Sequence, residues 1–111
     1  MAVLNTKSYS LLLGARQTRG STAEISAADD ALLREITARH FPEGFIILKS
    51  GGGRFDPARK VFVEEDSRQV LVTTTRPALL RPWCNELGAA LGQDEFLVVE
   101  LGAAATFRVE R

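Results

Sequence analysis

The sequence predicts a single α+β domain with the ferredoxin-like strand and helix order βαββαβ, in which two helices cover one face of an antiparallel sheet. Short apolar runs typical of strands alternate with two amphipathic segments, and proline and glycine separate them. A long β2–β3 hairpin occupies the centre of the chain, over residues 44–75. At 111 residues, 45% of them hydrophobic, the chain suits one domain over residues 1–111.

The first elements are a tail, a strand and a loop. Residues 1–7 are expected to form an N-terminal tail. The apolar run at residues 8–15 is too short for a helix and predicts a buried strand. Residues 17–23 are polar and contain a glycine, which predicts a connecting loop.

The first helix is predicted from Ser26 to about His40. Ser26 stands three residues before Asp29, a spacing that lets the side chain accept a hydrogen bond from an otherwise unpaired first-turn amide. Pro42 and Gly44 end the helix, because proline disfavours a helical residue before it and glycine turns the chain.

The hairpin contains two apolar strand patterns around a polar centre. Residues 45–48 are apolar and β-branched, and they lead into Gly51-Gly52-Gly53. Residues 56–60 predict a turn, since Pro57 presets the backbone at its second position. The acidic segment 64–67 is expected to form a bulge or bend before the return strand at residues 68–75.

The second helix is predicted to hold Pro82 in its first turn, where the missing N–H does no harm, and to stop at Gly92. Residues 95–101 predict the last long strand. A break is expected at residues 102–105, followed by a short edge strand or tail at residues 106–109.

Both faces of the predicted sheet carry apolar side chains. Helices cover one face, so the other face predicts self-association, most simply a homodimer. A long hairpin that folds over the same face is the alternative. One face is predicted to carry Phe45, Ile47, Val70, Val72, Phe96 and Val98, and the other is predicted to carry Ile46, Leu48, Leu71, Leu97 and Val99.

Several short segments match a known pattern in order and spacing: Leu13-Gly14, Phe41 to Phe45, Gly53 to Phe55, Glu65 to Arg68, Val70 to Val72 and Gln93 to Glu95. On these segments the chain resembles an uncharacterised family of short bacterial proteins, a domain of unknown function with a ferredoxin-like build. The sequence departs from that pattern at Arg54, near which a tryptophan is expected, and in a shortened stretch between Thr75 and Trp83. The resemblance implies a fold and no established activity.

Composition excludes several classes of function. Lysine plus arginine number 14, as do aspartate plus glutamate, so no excess positive charge predicts a nucleic-acid partner. No stretch approaches the roughly 20 apolar residues of a membrane span. The single cysteine, Cys84, rules out an internal disulfide, and with a single histidine no metal site or cofactor is predicted. The first residues lack a signal-peptide pattern, which predicts a cytoplasmic protein.

The most suggestive binding group lies in the hairpin. Glycines let backbone N–H groups converge on an anion, and neighbouring cations add charge. The group lacks the spacing of a phosphate-binding loop, and a hairpin with solvated charges is the simpler interpretation. Its members are Gly51, Gly52, Gly53, Arg54, Arg59 and Lys60.

A second group of polar residues is predicted to line a pocket. His40 also suits a helix C-terminus, where a cation complements the helix dipole. Cys84 beside Trp83 on an apolar helix face is interpreted as core, since free cysteine is usually buried. The predicted pocket residues are Tyr9, Arg16, His40, Glu65, Arg68 and Gln93.

Three functional hypotheses follow from these observations. The first is a small, non-enzymatic, oligomeric binding module that engages a protein partner or an anionic small molecule through the hairpin at residues 50–68. The second is a dimeric ferredoxin-like enzyme acting on a small organic substrate, with His40, Tyr9 or a carboxylate as acid or base. The third is a phage or mobile-element inhibitor that acts by binding a larger complex.

Overall fold

The computed structural model describes residues 6–15, 24–105 and 109, and of Arg54 only the backbone. It has the mixed α+β architecture that the sequence predicts, with an antiparallel sheet and two helices. The elements are β1 (Thr6–Gly14), α1 (Ala27–His40), β2 (Phe45–Asp56), β3 (Val61–Thr74), α2 (Leu80–Leu91, preceded by a 3₁₀ turn at Pro77–Leu79) and β4 (Leu97–Ala104).

The described strands form one sheet in the order β2-β3-β1-β4, and each neighbouring pair is antiparallel. β2 and β4 are therefore the edge strands. The register between β1 and β4 shifts at Ser8 and Tyr9. Gly102 lies opposite this shift with a φ of 117°, a backbone conformation that glycine alone adopts readily.

Three predicted boundaries are wrong. Thr6 and Lys7, expected in a tail, belong to β1, where each pairs with β4. Residues 64–67, expected to bend, lie inside β3 and pair regularly with β2, because β2 supplies a backbone partner for each of them. The expected break at residues 102–105 is instead the end of β4, which the Thr6 hydroxyl holds by donating to the Ala104 carbonyl. The predictions for residues 16–23 and 106–108 lie outside the described residues.

Both helix boundaries agree with the sequence signals. The Ser26 hydroxyl accepts a hydrogen bond from the Asp29 N–H at 3.1 Å, which caps α1. Pro82 lies in the first turn of α2, and Gly92 ends that helix with a φ of 72°.

The core lies between the helices and one face of the sheet. Trp83 of α2 is fully buried, and its indole N–H donates to the Thr37 hydroxyl of α1 at 3.1 Å. The Phe41 ring meets the Trp83 ring edge to face, with 5.0 Å between their centres. The buried core residues are Tyr9, Leu11, Leu13, Ala15, Ile25, Leu33, Ile36, Phe41, Val70, Val72, Trp83, Leu87 and Leu91.

Side chains that alternate with this core point away from the helices, and we call that side of the sheet the open face. The open face carries Leu12 on β1, Leu48 on β2, Leu71 on β3 and Val99 on β4. Leu12, Leu48 and Val99 are among the exposed large hydrophobic residues.

The far half of the hairpin projects from the domain. Pairing between β1 and β3 ends at Gly14 and Ser67, so residues 51–66 form a ribbon of two strands, which we call the arm. The protein measures 57 by 26 by 24 Å, and its radius of gyration is 16.0 Å, against roughly 13 Å for a compact domain of this length. Phe55 and Phe62 pair across the arm, and their side chains are 50% and 81% exposed.

Candidate functional site

A cleft of about 740 Å³ opens where the arm leaves the sheet. Its walls come from the arm, from the neighbouring part of β2 and β3, and from the segment that enters α1. We call it the arm-base cleft. It is lined by Glu24, Ile25, Lys49, Gly51, Gly52, Glu64, Glu65, Asp66 and Arg68.

Arg68 organises one wall of the cleft. It is only 7% exposed, because it lies on the same side of β3 as the core residues Val70 and Val72. Its Nε donates to Asp30 of α1 at 3.0 Å, and its Nη1 donates to Asp66 at 2.7 Å. These bonds satisfy a buried charge that would otherwise be costly to remove from water.

Two further bonds extend this arrangement, which we call the Arg68 network. The second carboxylate oxygen of Asp66 accepts the backbone N–H of Ile25 at 3.2 Å. The second oxygen of Asp30 accepts Nε of Arg34 at 3.0 Å. The network thus joins the base of the arm to the first turns of α1.

Both carboxyl groups of the network are ionised at neutral pH. Partial burial raises the pKa of Asp30, but hydrogen bonds from Arg34 and Arg68 outweigh burial and leave that pKa below its usual value. Burial also raises the pKa of Asp66, and the bonds from Arg68 and the Ile25 backbone again bring it below its usual value. Because Asp30 and Asp66 both pair with Arg68, the positive charge of Arg68 is already neutralised and is not available to a ligand.

The three glycines of β2 differ in what they tolerate. A Cβ at Gly53 would lie 2.9 Å from the Val63 carbonyl oxygen, so the strand pairing itself requires glycine there. A Cβ at Gly52 would meet only the Ser67 hydroxyl, at an ordinary 3.6 Å, and one at Gly51 would meet nothing within 4 Å. The backbone of Gly51 and Gly52 is extended and has no positive φ. The fold of this chain therefore does not require glycine at positions 51 and 52, both of which border the cleft.

The predicted anion-binding group is spread along the arm. Gly51 to Gly53 pair with β3 as regular strand residues, so their N–H groups do not converge as they would in a loop. Arg59 and Lys60 lie in the turn at the far end, about 17 Å away at the rise of a β-strand. The Arg59 guanidinium pairs with Asp56 at 2.8 Å, and Lys60 has a φ of 56°. The side chain of Arg54 lies outside the described part, and ligand binding by this group stays a prediction.

The residues predicted to line one pocket also lie apart. Glu65 and Arg68 border the arm-base cleft. Tyr9 is buried in the core, and Gln93 follows α2, where its side chain donates to the Glu95 carbonyl. His40 lies at the end of α1, with its Nε2 2.9 Å from Glu86 of α2. Arg16 lies outside the described residues.

The remaining candidate nucleophile is poorly placed for chemistry. Cys84 is half-buried on α2, and burial raises the pKa of its thiol, an effect that Arg81 only partly offsets. A thiol with a raised pKa is mostly protonated at neutral pH and is a weak nucleophile. This agrees with a packing role for Cys84.

Sequence reasoning missed several residues of the cleft. Lys49, Glu24 and Ile25 carry no local signal, because they meet only when the entry to α1 crosses the base of the arm. Arg68 did carry a signal. It stands two and four residues before Val70 and Val72, so strand alternation directs its charge to the helix side, where it needs an acidic partner.

No group of three metal-ligating side chains is present among the described residues. Across those same residues, no helix has the length and apolar character of a membrane span.

No protein-family model matches the chain, and no curated protein does so. Among solved structures, the chain is similar to a phage SAM lyase in complex with S-methyl-5'-thioadenosine. The TM-score is 0.60 at 10% sequence identity, and the match covers 97% of this chain and 94% of that one. At this identity the likeness concerns the fold.

Proposed function

We propose that this protein binds a small molecule of cationic or zwitterionic character in the arm-base cleft. The observation that carries the proposal is Gly51, which borders the cleft on the same side of the ribbon as Asp66 and Arg68, although the chain's own packing leaves room for a side chain there. Glycine within a strand is about 0.5 to 1 kcal/mol less favourable than alanine. A strand glycine often marks a close approach of a ligand or another backbone.

The charge of the cleft supports this ligand class. Glu64 and Asp66 direct their carboxylates to the same side of β3 as Arg68, and Glu24 and Lys49 also border the cleft, which gives three acidic residues against two cations. Arg68 is already engaged by Asp30 and Asp66. An excess of negative charge favours a ligand with a positive group, and Lys49 can pair with a carboxylate of a zwitterion. This revises the anionic ligand expected from the glycines and the basic turn.

The fold also bears on the choice of ligand. The strand order β2-β3-β1-β4 with two helices on one face supports a ferredoxin-like assignment. The phage SAM lyase is similar over nearly its whole length and was solved with S-methyl-5'-thioadenosine. SAM carries a sulfonium, an ammonium and a carboxylate, which match the charges that line the cleft. SAM is therefore the first ligand to test.

The test is calorimetric titration of the full chain with SAM and with S-methyl-5'-thioadenosine. We expect SAM to bind more tightly, because only SAM carries charged groups that face the carboxylates. Gly51→Val should fold normally, since a Cβ there meets nothing within 4 Å, and should weaken binding at least about tenfold by filling the cleft.

Ala58→Val is the matched control, because it places the same valine side chain in the exposed turn of the arm, away from the cleft. Its affinity should equal that of the wild type. Failure of both ligands to bind would reject an adenosyl ligand. Undiminished binding by Gly51→Val would reject the cleft as the site.

A second candidate function is catalysis on the same ligand. It is favoured by the similarity to a lyase together with carboxylates at the cleft. A carboxylate can accept the proton from the β-carbon of the amino-acid chain of SAM while the bond between the γ-carbon and the sulfonium sulfur breaks, which leaves a double bond in the amino-acid fragment and releases S-methyl-5'-thioadenosine. Tyr9 and His40, the earlier candidates for acid and base, lie away from this cleft. Incubation with SAM separates the two functions, because a lyase forms S-methyl-5'-thioadenosine with time and a binding protein leaves SAM intact.

A further inference from the structure

We infer that the open face of the sheet is an interface with a second copy of this chain. Helices cover the other face of the sheet, whereas on this side of the described structure six large aliphatic side chains are 39 to 60% exposed. Monomeric proteins rarely expose a continuous apolar surface larger than a few hundred Å². The six are Leu12, Ile46, Leu48, Leu97, Val99 and Leu101.

The open face lacks charge in its described part. At positions 8–12, 46–50, 67–73 and 97–101, each ionisable side chain alternates to the helix side, as Lys49, Arg68 and Glu100 do. A solvated face of an antiparallel sheet usually carries polar and charged residues. A face without charge lets two copies meet without like-charge repulsion, and it provides no counter-charge for nucleic acid or a charged peptide.

The polar side chains of the open face bond to one another within the sheet. The hydroxyls of Ser8 and Thr73 lie 2.9 Å apart, and the amide of Gln69 donates to Ser10 at 3.0 Å. Near the arm, the hydroxyls of Ser50 and Ser67 are also 2.9 Å apart. A polar group that already has a hydrogen-bond partner in the protein costs little free energy when water is removed from it. The face can therefore be buried without polar groups supplied by the partner.

The dimensions of the face suit a second copy that also contacts the arm. Four strands span about 19 Å and seven residues span about 24 Å, which gives a flat area of about 450 Å². A stable interface buries roughly 800 Å² on each partner. The arm extends the same side by six residue pairs, where Val61 is exposed, Val63 is half-buried, and the acidic residues Asp56 and Glu65 lie beside them. We therefore expect each arm to lie against the neighbouring copy.

The experiment is sedimentation velocity of the full chain over a dilution series, with Leu48→Lys as the test variant. Leu48 lies on the edge strand β2 and is 43% exposed, so a lysine there is tolerated in an isolated chain. The wild type should sediment as a dimer or a larger oligomer. Leu48→Lys should raise the dissociation constant at least about a hundredfold, since each copy would bury an unpaired charge.

Ala38→Lys adds the same charge on the exposed surface of α1 and should sediment like the wild type. If Leu48→Lys loses its circular dichroism spectrum, the double variant Ile46→Thr with Leu48→Thr replaces it, because threonine keeps strand propensity and removes apolar surface. A wild type that remains monomeric up to its solubility limit overturns the inference. So does an oligomer that survives a folded open-face variant, which would indicate another surface.

Discussion

Single contacts between α1 and α2 decide how the helices pair. Trp83 is the largest fully buried side chain, and its indole N–H has one hydrogen-bond acceptor, the hydroxyl of Thr37. Buried donors without a partner cost about 1 to 3 kcal/mol. The Thr37 hydroxyl therefore contributes more to the stability of the fold than its size suggests.

We predict that Thr37→Val lowers the free energy of unfolding by about 1 to 3 kcal/mol, because it keeps the shape of the side chain and leaves the indole N–H unpaired. Thr37→Ser keeps the acceptor and loses one methyl group, so it should cost about 0.8 kcal/mol. Urea denaturation of the three proteins measures both differences. Equal stability of Thr37→Val and wild type would contradict this role for the hydroxyl.

At the scale of residues, the sequence predicts the apolar faces better than the polar contacts. The spacing of Trp83, Leu87 and Leu91 correctly predicts a buried face of α2. Thr37 could not be identified as its partner, because a threonine within a helix has the same pattern whether its hydroxyl meets water or an indole.

The contact between α1 and the hairpin depends on the Arg68 network. Both of its carboxyl groups have a lowered pKa in the folded state. Their contribution to stability is therefore complete above the unfolded-state pKa of about 3.9. It is lost as the pH falls through the folded-state values below that point.

We predict that Arg68→Met lowers the free energy of unfolding by about 3 kcal/mol at neutral pH, because it leaves Asp30 and Asp66 partly buried without their cation. The difference in free energy of unfolding between variant and wild type should become smaller below about pH 4, where the unpaired carboxyl groups become protonated. Urea denaturation across this pH range tests the prediction.

Arg34→Met is the control for Arg68→Met. Arg34 bonds the same Asp30 from an exposed position, so its loss should have a much smaller effect at neutral pH. If the difference in free energy of unfolding between Arg68→Met and the wild type stays constant with pH, the packing of the Arg68 methylene groups, and not the Arg68 charge, stabilises the fold.

At the scale of elements, the helices are predicted well because caps and apolar spacing are local signals. Strand limits are predicted less well, since they depend on pairing. Three successive acidic residues, Glu64 to Asp66, suggest an interruption when read alone. They remain in β3 because β2 supplies a paired residue for each of them. The arm-base cleft needs three such segments to meet and could not be predicted from any one of them.

The whole molecule consists of a packed body and a projecting arm. Within the part of the chain that the structure describes, six residue pairs of the arm join β2 to β3 without a third strand, and two-stranded ribbons are marginally stable by themselves. The helices and the core lie on the body. We therefore expect the body to fold without most of the arm.

We predict that replacing residues 53–64 by Asn-Gly, a favoured two-residue hairpin turn, leaves the body folded. The radius of gyration should fall from 16.0 Å toward roughly 13 Å in X-ray scattering. Both proteins should carry Leu48→Lys, so that association does not enlarge the radius. Loss of the folded spectrum on shortening would mean that the arm belongs to the cooperative core.

The burial of Trp83 also provides a built-in optical probe. The chain contains one tryptophan, so its indole emission arises from a single place in the helix layer. Because the arm is distant from this layer, melting of the arm alone would leave the emission unchanged while the strand signal in circular dichroism declines. Transitions that coincide by the two methods would indicate that body and arm unfold together. Separate transitions would give the stability of the arm directly, without any added label.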